Sequence, residues 1–486
     1  MRTILSIPEW LPSSIHAGHA RRIGNEIWFR KKSSELAAER VQRRDERHIW
    51  YNALLFSLTI GLLAIIILLK AKTATADTVD PPLLFYTFFV TLFQLSRLIT
   101  AMMYRKSYSQ ALGEAPLTYQ PKVSFVIPCM NEEGEIQNTI RACIAADYPP
   151  DKVEVIVIND ASTDSSREKI LEMQREYPKI IFVDWTVNRG KRHGMAEGFK
   201  RATGEIVIQL DSDSRIEPSD IPLLVRPFHN PAVGAVSYHT DPANAEENTL
   251  TKIQAAYYFL SFRILKAAES TFRVVFCCSG CASAYRRSAV VPILDEWLQE
   301  KFLGKPVTWG DDRALTNRVI AGGYQTLYSE EVRAYTIVPN TIRQFIKQQI
   351  RWKKGWFVNS LFASKFIVKR EPFVAFTYFF PLMFVTLLTP FMAARAFFYT
   401  PIAHSTTSTL YYVLGVFAIA GLIAIFYRYF SRSNRYWPYV FLWAALNMLV
   451  LSYMLFIALL TIQNRGWGTR TLAPKPKAPL QTAVPV

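Results

Sequence analysis

The sequence predicts an α/β domain on a parallel-centred sheet, carried on an α-helical transmembrane region with interfacial amphipathic helices. Three observations predict it. Apolar residues make up 50% of the 486 positions, and they collect in long runs near the start and in the last quarter. Between those runs, residues 120–340 alternate short β-branched runs with longer segments of helical spacing, the pattern of strands joined by crossover helices. Amphipathic, basic segments border the apolar runs, as helices at a membrane surface do.

Residues 1–49 carry ten Lys or Arg and no apolar core with a cleavage site, so this arm is expected to remain in the cytosol. Residues 50–69 and about 83–104 are each apolar enough and long enough to span a bilayer. Two spans return the chain to the cytosol, where the domain over 105–339 is expected. Arg97 lies inside the second span. It reads either as a snorkelling side chain or as a residue facing a polar channel.

Within the domain, residues 123–128, 153–159, 180–184 and 206–211 read as strands, and 133–146 and 165–177 as helices between them. Ligands of such sheets bind beyond the carboxyl ends of the strands. Two of the strands end in acidic residues there, Asp160 and Asp211. Residues 251–267 place Ile253, Tyr257, Leu260 and Ile264 on one face, which suits a core helix or a helix on the membrane surface. Residues 340–371 are similar and more basic. Three more apolar runs, 372–398, 410–430 and 436–462, bring the spans to five. An odd number puts the C-terminal tail outside, whereas Arg465, Arg470, Lys475 and Lys477 in that tail favour inside. Pro381 and Pro390 mark the third run as a candidate broken or re-entrant span.

Charge and cysteines narrow the function. The net charge is +17. No nucleic-acid-binding module accompanies it, which leaves positive-inside topology and an anionic substrate. Five cysteines, an odd number without paired spacing, do not form a disulfide framework. Cys278 and Cys281 have no second Cys or His pair with which to hold zinc.

Chemistry concentrates in a few places. Asp211-Ser212-Asp213 follows a strand, and carboxylates one residue apart can share a divalent cation that bridges a diphosphate. Asp160 can accept from a base edge or ribose, or cap the helix that follows. Asn188-Arg189-Gly190-Lys191-Arg192 puts cations on a glycine-containing loop suited to a diphosphate. Gly310-Asp311-Asp312-Arg313 opens a helical segment, where a carboxylate can act as general base or complement the helix dipole. Gln348-Gln349-Ile350-Arg351-Trp352 offers an Arg for phosphate and a Trp face for a sugar ring, or an interfacial anchor.

Taken in order, these motifs resemble the processive, membrane-bound branch of glycosyltransferase family 2, which includes cellulose, chitin and hyaluronan synthases. The resemblance covers about residues 122–356 and the flanking spans. It implies a nucleotide-sugar-binding domain of glycosyltransferase type A. Val126 to Glu132 looks like the opening strand, which places Pro128, Asn131 and Glu132 with the donor. Asp160 matches the uracil-contacting acid, and Asp211 and Asp213 match the pair that holds Mg²⁺ or Mn²⁺. Lys191, Gln348, Arg351 and Trp352 are implied with the donor, Lys191 and Arg351 on its diphosphate. Ser279, Gly280, Cys281, Tyr285 and Arg286 look like the acceptor-side loop, with Asp311, Arg313 and Trp352 beside it. Asp312 falls where the family places its catalytic base.

Residues 302–306 and 310–317 look most like hyaluronan synthases. Two departures stand out: Cys281 replaces the usual Pro, and Lys353-Lys354-Gly355-Trp356 differs from the usual continuation after Trp352. The resemblance implies a multi-pass plasma-membrane enzyme with UDP-sugars, a growing polysaccharide and membrane lipids as partners, and no nucleic acid. Its reaction is inverting β-glycosyl transfer, most like hyaluronan synthesis from UDP-glucuronate and UDP-N-acetylglucosamine with coupled translocation. A chitin-, cellulose- or other β-glycan synthase, a non-processive lipid-carrier glycosyltransferase and an inactive export partner are the alternatives.

Overall fold

The computed structural model describes residues 49–75, 79–116, 118–431 and 434–464. The expected cytosolic arm, up to residue 48, and the basic tail from Arg465 onward lie outside the described residues. Backbone contacts divide the chain into two units, Met1–Ile60 and Gly61–Val486. Of the first, only the start of helix α1 (Ile49–Ala74) is described; the second holds everything that follows.

Helix α2 (Pro81–Leu112) starts at Asp80, whose side chain accepts from the Leu83 N–H, and Pro81 and Pro82 fill positions whose N–H would have no helical partner. The domain then alternates β1 (Val123–Cys129), α3 (Ile136–Ile144), β2 (Val153–Asp160), α4 (Ser166–Glu176), β3 (Ile180–Trp185), α5 (Lys191–Arg201) and β4 (Ile206–Leu210). β1 is buried along its whole length, which is why its sequence reads as a continuous apolar run rather than an alternation.

The sheet order is β3-β2-β1-β4-β7-β6-β10-β5, with β5 Ser214–Ile216, β6 Val233–Pro242, β7 Ala282–Arg286 and β10 Gln325–Thr336. A separate hairpin joins β8 (Lys301–Phe302) and β9 (Lys305–Pro306). The expected parallel sheet holds for β3, β2, β1 and β4. Beyond them the sheet is mixed: β7 runs antiparallel to both β4 and β6, and β5 runs antiparallel to β10. The turn at 277–281 causes the reversal. It folds back beside the end of β4, where the Asp211 N–H donates to the Cys281 carbonyl, so β7 can only run the other way.

Helix α6 (Thr249–Phe259) continues through a π-helical stretch, Leu260–Lys266, into Ala267–Thr271. Its amphipathic face finds helices rather than an open surface. Tyr257 stacks on Trp443 at 4.2 Å, Phe259 stacks on Tyr427 at 3.7 Å, and Ile253 and Leu260 join a cluster with Phe345, Trp443 and Leu451. Helix α7 (Asp311–Ala321) and the 23-residue helix α8 (Ile342–Ser364) follow.

Helices α9 (Pro372–Ala403) and α10 (Thr406–Phe430) join α1 and α2 as four helices long and apolar enough to cross a membrane. The pair α11 (Tyr439–Leu451) and α12 (Met454–Leu460), bent by 43°, makes a fifth if it is one span. The break expected at the prolines is therefore displaced. α9 runs through Pro381 and Pro390, and its geometry is relieved by π-helical turns at Ala375–Phe379 and Arg395–Tyr399. The discontinuity falls in the last apolar run instead. Large apolar side chains on these helices, among them Ile67, Phe85, Leu92, Ile99 and Phe398, are exposed.

Arg97 takes neither role expected of it. It is buried against the Phe93 and Tyr378 rings, and its Nη2 donates to the Thr377 carbonyl at 3.0 Å. Thr377 stands four residues before Pro381, which has no N–H to give that carbonyl. Arg97 supplies the missing donor inside an apolar bundle.

Candidate active site

A cavity of about 1290 Å³ opens beyond the carboxyl ends of β1, β2 and β4 and reaches Tyr378, Leu382 and Thr386 on α9 and Trp443 and Asn447 on α11. It is lined by Pro128, Asn131, Glu132, Asp160, Lys191, Asp211, Asp213, Ser279, Gly280, Cys281, Asp311, Asp312, Arg313, Gln348, Arg351 and Trp352. Of the residues singled out in the sequence, Tyr285 and Arg286 lie elsewhere.

The loops after β1 and β2 are laced together. The Asn131 N–H donates to Ser162 Oγ at 3.1 Å, and the Thr163 N–H donates to Asn131 Oδ1 at 2.8 Å. The Glu132 N–H donates to Ser166 Oγ at 2.8 Å. Asn131 holds φ at 54° to make this possible, a conformation Asn tolerates better than most residues. Asp160, at the end of β2, accepts from the Arg189 N–H at 2.6 Å and the Gly190 N–H at 2.9 Å. Burial raises its carboxyl above the usual range despite those two amides. One carboxylate thus fixes the 188–190 loop and the start of α5 at the cavity wall.

Lys191 and Arg192, adjacent in sequence, part company. Lys191 Nζ pairs with Asp211 Oδ1. Burial alone would lower its pKa, but Asp211, Asp311 and Asp312 outweigh burial and hold the ammonium above the ordinary lysine range. Arg192 faces the other way and is spent inside the protein. Its Nε donates to Asp311 Oδ1 at 2.8 Å, and its Nη1 donates to Glu300 Oε2 at 2.9 Å and to the Trp297 carbonyl at 3.0 Å. The expectation that Arg192 serves a diphosphate is corrected: it is a buried clamp on the first residue of α7. The same clamp occupies one oxygen of Asp311.

Asp312, next along, points into the cavity. Its Oδ2 accepts from the Gly280 N–H at 3.2 Å and lies 3.4 Å from Cys277 Sγ, while its Oδ1 accepts from the Arg313 N–H at 2.8 Å. Burial, together with the neighbouring Asp312 carboxylate, pushes the Cys277 thiol up to about 11, so it stays protonated beside that carboxylate. Gln209 Nε2 donates to the Gly280 carbonyl at 2.8 Å, which ties the turn carrying Ser279–Cys281 to β4. Asp211, Lys191, Gly280 and Asp312 therefore form one contiguous patch.

Tyr285 and Arg286 are a correction. β7 pairs with β4 so that Ala282 lies opposite Leu210 and Arg286 opposite Ile206, at the far end of the strand. Tyr285 is fully buried, edge-on to Phe199. Arg286 binds Glu205 and the carbonyls of Phe228, Asn230 and Val233. A strand of five residues spans about 17 Å, so the front of this motif meets the cavity and its back does not.

Helix α8 brings up the opposite wall. Gly310, at φ 74°, lies against Gly355: a Cβ at either would stand 2.9–3.0 Å from the other's Cα. Asn359 Nδ2, which donates to the Gly355 carbonyl at 2.9 Å, sits beside the contact. This close approach sets Asp312 beside the helix that carries Gln348, Arg351 and Trp352. It also explains Gly355, one of the departures noted in the sequence. Lys354, another, is buried and donates to the Thr461 carbonyl at 2.6 Å, so it ties α8 to the chain just beyond α12.

The sequence reading missed the floor of the cavity. Trp352 approaches Tyr257 at 6.2 Å, and Tyr257 stacks on Trp443. Glu269 accepts from the Tyr378 hydroxyl at 2.7 Å, and Lys266 donates to the Cys277 carbonyl. Only the helical spacing of Tyr257 and the two Trp residues of the last apolar run, Trp437 and Trp443, hinted at these. Among the described residues, no three His, Cys, Asp or Glu side chains stand close enough to hold a metal ion unaided.

Residues 124–293 match the family described as "Glycosyl transferase family 2". A protein of Streptococcus pyogenes serotype M1 named hyaluronan synthase is 31% identical over 355 residues, covering 72% of this chain and 83% of that one. An N-acetylglucosaminyltransferase of Mesorhizobium japonicum is 34% identical over 250 residues, covering 51% of this chain and 58% of that one. Among solved structures, a mannosyltransferase from Pyrobaculum calidifontis in complex with GDP-Man and Mn²⁺ aligns with a TM-score of 0.47 at 20% identity, over 78% of this chain and 99% of that one. The chain belongs to glycosyl transferase family 2, as a glycosyltransferase related to the hyaluronan synthases.

Proposed function

We propose that the protein is a processive, inverting β-glycosyltransferase that polymerises UDP-sugars into an extracellular polysaccharide of the hyaluronan type and passes the product between its own apolar helices. The observation that carries this reading is the continuity of one cavity from the Asp211–Asp312 patch to Thr386, Trp443 and Asn447 on helices of the apolar bundle. A nucleotide sugar needs only the first part of that space. The exposed apolar faces of α1, α2 and α9 suit lipid. The domain then stands on the cytosolic side of the plasma membrane, with α8 at the interface.

In this reading uridine lies near Asp160, whose carboxylate orders the 188–190 loop against the donor. Asp211 and Asp213 would hold Mg²⁺ or Mn²⁺. Two hard carboxylate donors, with no third acidic or His/Cys ligand beside them among the described residues, fit an ion whose other positions are filled by phosphate oxygens and water. That ion would offset the charge on the departing diphosphate. Lys191, held charged beside Asp211, and Arg351 add to the neutralisation. Gln348 borders the same pocket.

Asp312 accepts the proton from the acceptor hydroxyl. The hydroxyl oxygen bonds to the anomeric carbon as the bond to UDP breaks on the opposite face, so configuration inverts and the linkage is β. The Gly280 N–H and the backbone of Arg313 orient the Asp312 carboxylate without protonating it. Trp352, backed by Tyr257 and Trp443, supplies an aromatic surface for the acceptor sugar.

The test is synthesis by purified full-length protein from UDP-sugars offered singly and in pairs, with product length read on a gel. Long polymer that requires both UDP-glucuronate and UDP-N-acetylglucosamine supports the reading. Polymer from one donor alone rejects the hyaluronan assignment, and a single-sugar product rejects processivity. EDTA is expected to stop synthesis, and restored Mg²⁺ or Mn²⁺ to recover it. Turnover in EDTA removes the metal role from Asp211 and Asp213.

A further inference from the structure

Lys353 is one of the departures after Trp352 that neither the fold nor the proposed chemistry uses. It lies on α8 one turn beyond Gln349, which itself lies one turn beyond Phe345, so the three form a stripe on one face. Phe345 meets Trp443 at 6.5 Å and packs with Leu451. The stripe therefore continues, from the last apolar segment, along the wall of the cavity that both Gln349 and Lys353 line.

Both residues carry donors that the protein leaves unused. Gln349 is 7% exposed, and its Nε2 is buried with no hydrogen-bond partner among the described residues. No carboxylate among the described residues pairs with Lys353, whose ammonium burial alone pulls down to about 8. Two other cavity cations are committed within the protein: Lys191 to Asp211 and Lys266 to the Cys277 carbonyl. A buried amide donor without an acceptor costs about 1–3 kcal/mol, and a half-buried ammonium without a counter-charge adds to that cost. A ligand that brings one negative charge and two acceptor oxygens removes both costs.

We propose that Lys353 and Gln349 form a receptor for the carboxylate of an acidic sugar in the acceptor saccharide. One ammonium and one amide match a single carboxylate, whereas a diphosphate would call for the denser cation set that Lys191 and Arg351 provide. Position separates the two as well. The diphosphate side lies at Asp211 and the end of β4, while Gln349 and Lys353 lie on the stripe that runs to Trp443. The proposal rests on the reading of this cavity as the place of an acceptor glycan, and it assigns that glycan to the uronate-containing class.

The test uses full-length protein in nanodiscs. It is titrated with a tetrasaccharide of alternating glucuronate and N-acetylglucosamine, and with the same tetrasaccharide after its carboxylates are reduced to alcohols. Wild type is expected to bind the acidic form about tenfold more tightly, as one charge-assisted contact would give. Lys353→Met lowers affinity for the acidic form to that of the reduced form, and Lys353→Arg keeps most of the preference. Gln349→Leu weakens the acidic form about threefold. Equal loss for both tetrasaccharides in Lys353→Met overturns the proposal. If wild type shows no preference, the uronate reading of the polymer fails. If wild type shows the preference and Lys353→Met keeps it, the polymer reading stands and the assignment to Lys353 fails.

Discussion

The two walls of the cavity are finished differently. On the donor wall most polar groups close on one another: Asn131 with Ser162 and Thr163, Asp160 with the 188–190 backbone, Lys191 with Asp211, Arg192 with Asp311 and Glu300. On the acceptor wall, made by α8 and the last apolar segment, Gln349 Nε2 is buried without a partner among the described residues, and π-helical turns interrupt the neighbouring helices. The contrast teaches a division of labour. A donor that must be placed to within a fraction of an ångström is met by a preorganised wall. A polymer that must slide is met by a wall whose polar groups wait for whichever sugar stands opposite them.

The largest effect is expected at the seam between the walls. Asp312→Asn keeps the shape of the side chain and one of its two accepting oxygens but cannot take a proton. Polymer synthesis should fall by about 10²–10⁴-fold, the worth of a general base, while UDP-sugar affinity stays within about twofold. Near-normal polymer yield would move the base elsewhere. A parallel collapse of donor affinity would instead make Asp312 part of the donor wall and erase the contrast at that point.

Next comes the clamp that holds the seam. Arg192→Met leaves Asp311 and Glu300 in the interior without their guanidinium. Breaking a buried pair costs about 3–5 kcal/mol. The lower end applies here because Arg318 stands 3.6 Å from Glu300. Thermal unfolding should show the loss directly, and activity should fall with it as α7 loses its anchor. Gly355→Val is milder, about 1–3 kcal/mol of overpacking, because its new side chain meets the Gly310 backbone. It pushes the walls apart without altering either, so acceptor KM should rise more than donor KM. Equal changes in both would mean that the Gly310–Gly355 contact serves only the fold.

Much of the donor wall was legible in the sequence. Its residues sit at strand ends, and a strand end is announced locally by a β-branched run followed by an acid and a turn, as at Ile158-Asn159-Asp160 and Leu210-Asp211. That these strands run parallel followed from the same alternation. The acceptor wall was less legible because its contacts join distant segments. Nothing near Tyr257 announces Trp443, nothing near Gly310 announces Gly355, and the reversal that makes the sheet mixed depends on a turn folding back against β4. Charged residues were read worst where neighbours diverge. Lys191 and Arg192 are one residue apart on a helix and so point about 100° apart, one to the cavity and one to the core. Arg97 was misread because its partner is a carbonyl freed by a proline some 280 positions away.

The smallest catalytic effect is expected from a residue that motif matching placed in the site. Arg286 sits at the end of β7 remote from the cavity, bound to Glu205 and to three carbonyls. Arg286→Gln removes a partly buried ion pair and leaves some of those carbonyls unpaired, a loss of about 1–3 kcal/mol of stability. It touches neither wall, so donor and acceptor KM of the folded enzyme should change by less than about twofold, judged against the roughly twofold spread expected of remote substitutions. Ser279→Val is its counterpart at the front of the same motif, where Ser279 lines the cavity, and it should raise acceptor KM at little cost in stability. If the two variants exchanged behaviours, with Arg286→Gln raising acceptor KM and Ser279→Val only lowering the melting temperature, the β4–β7 register would be wrong. The acceptor wall would then have to be drawn at the other end of the strand.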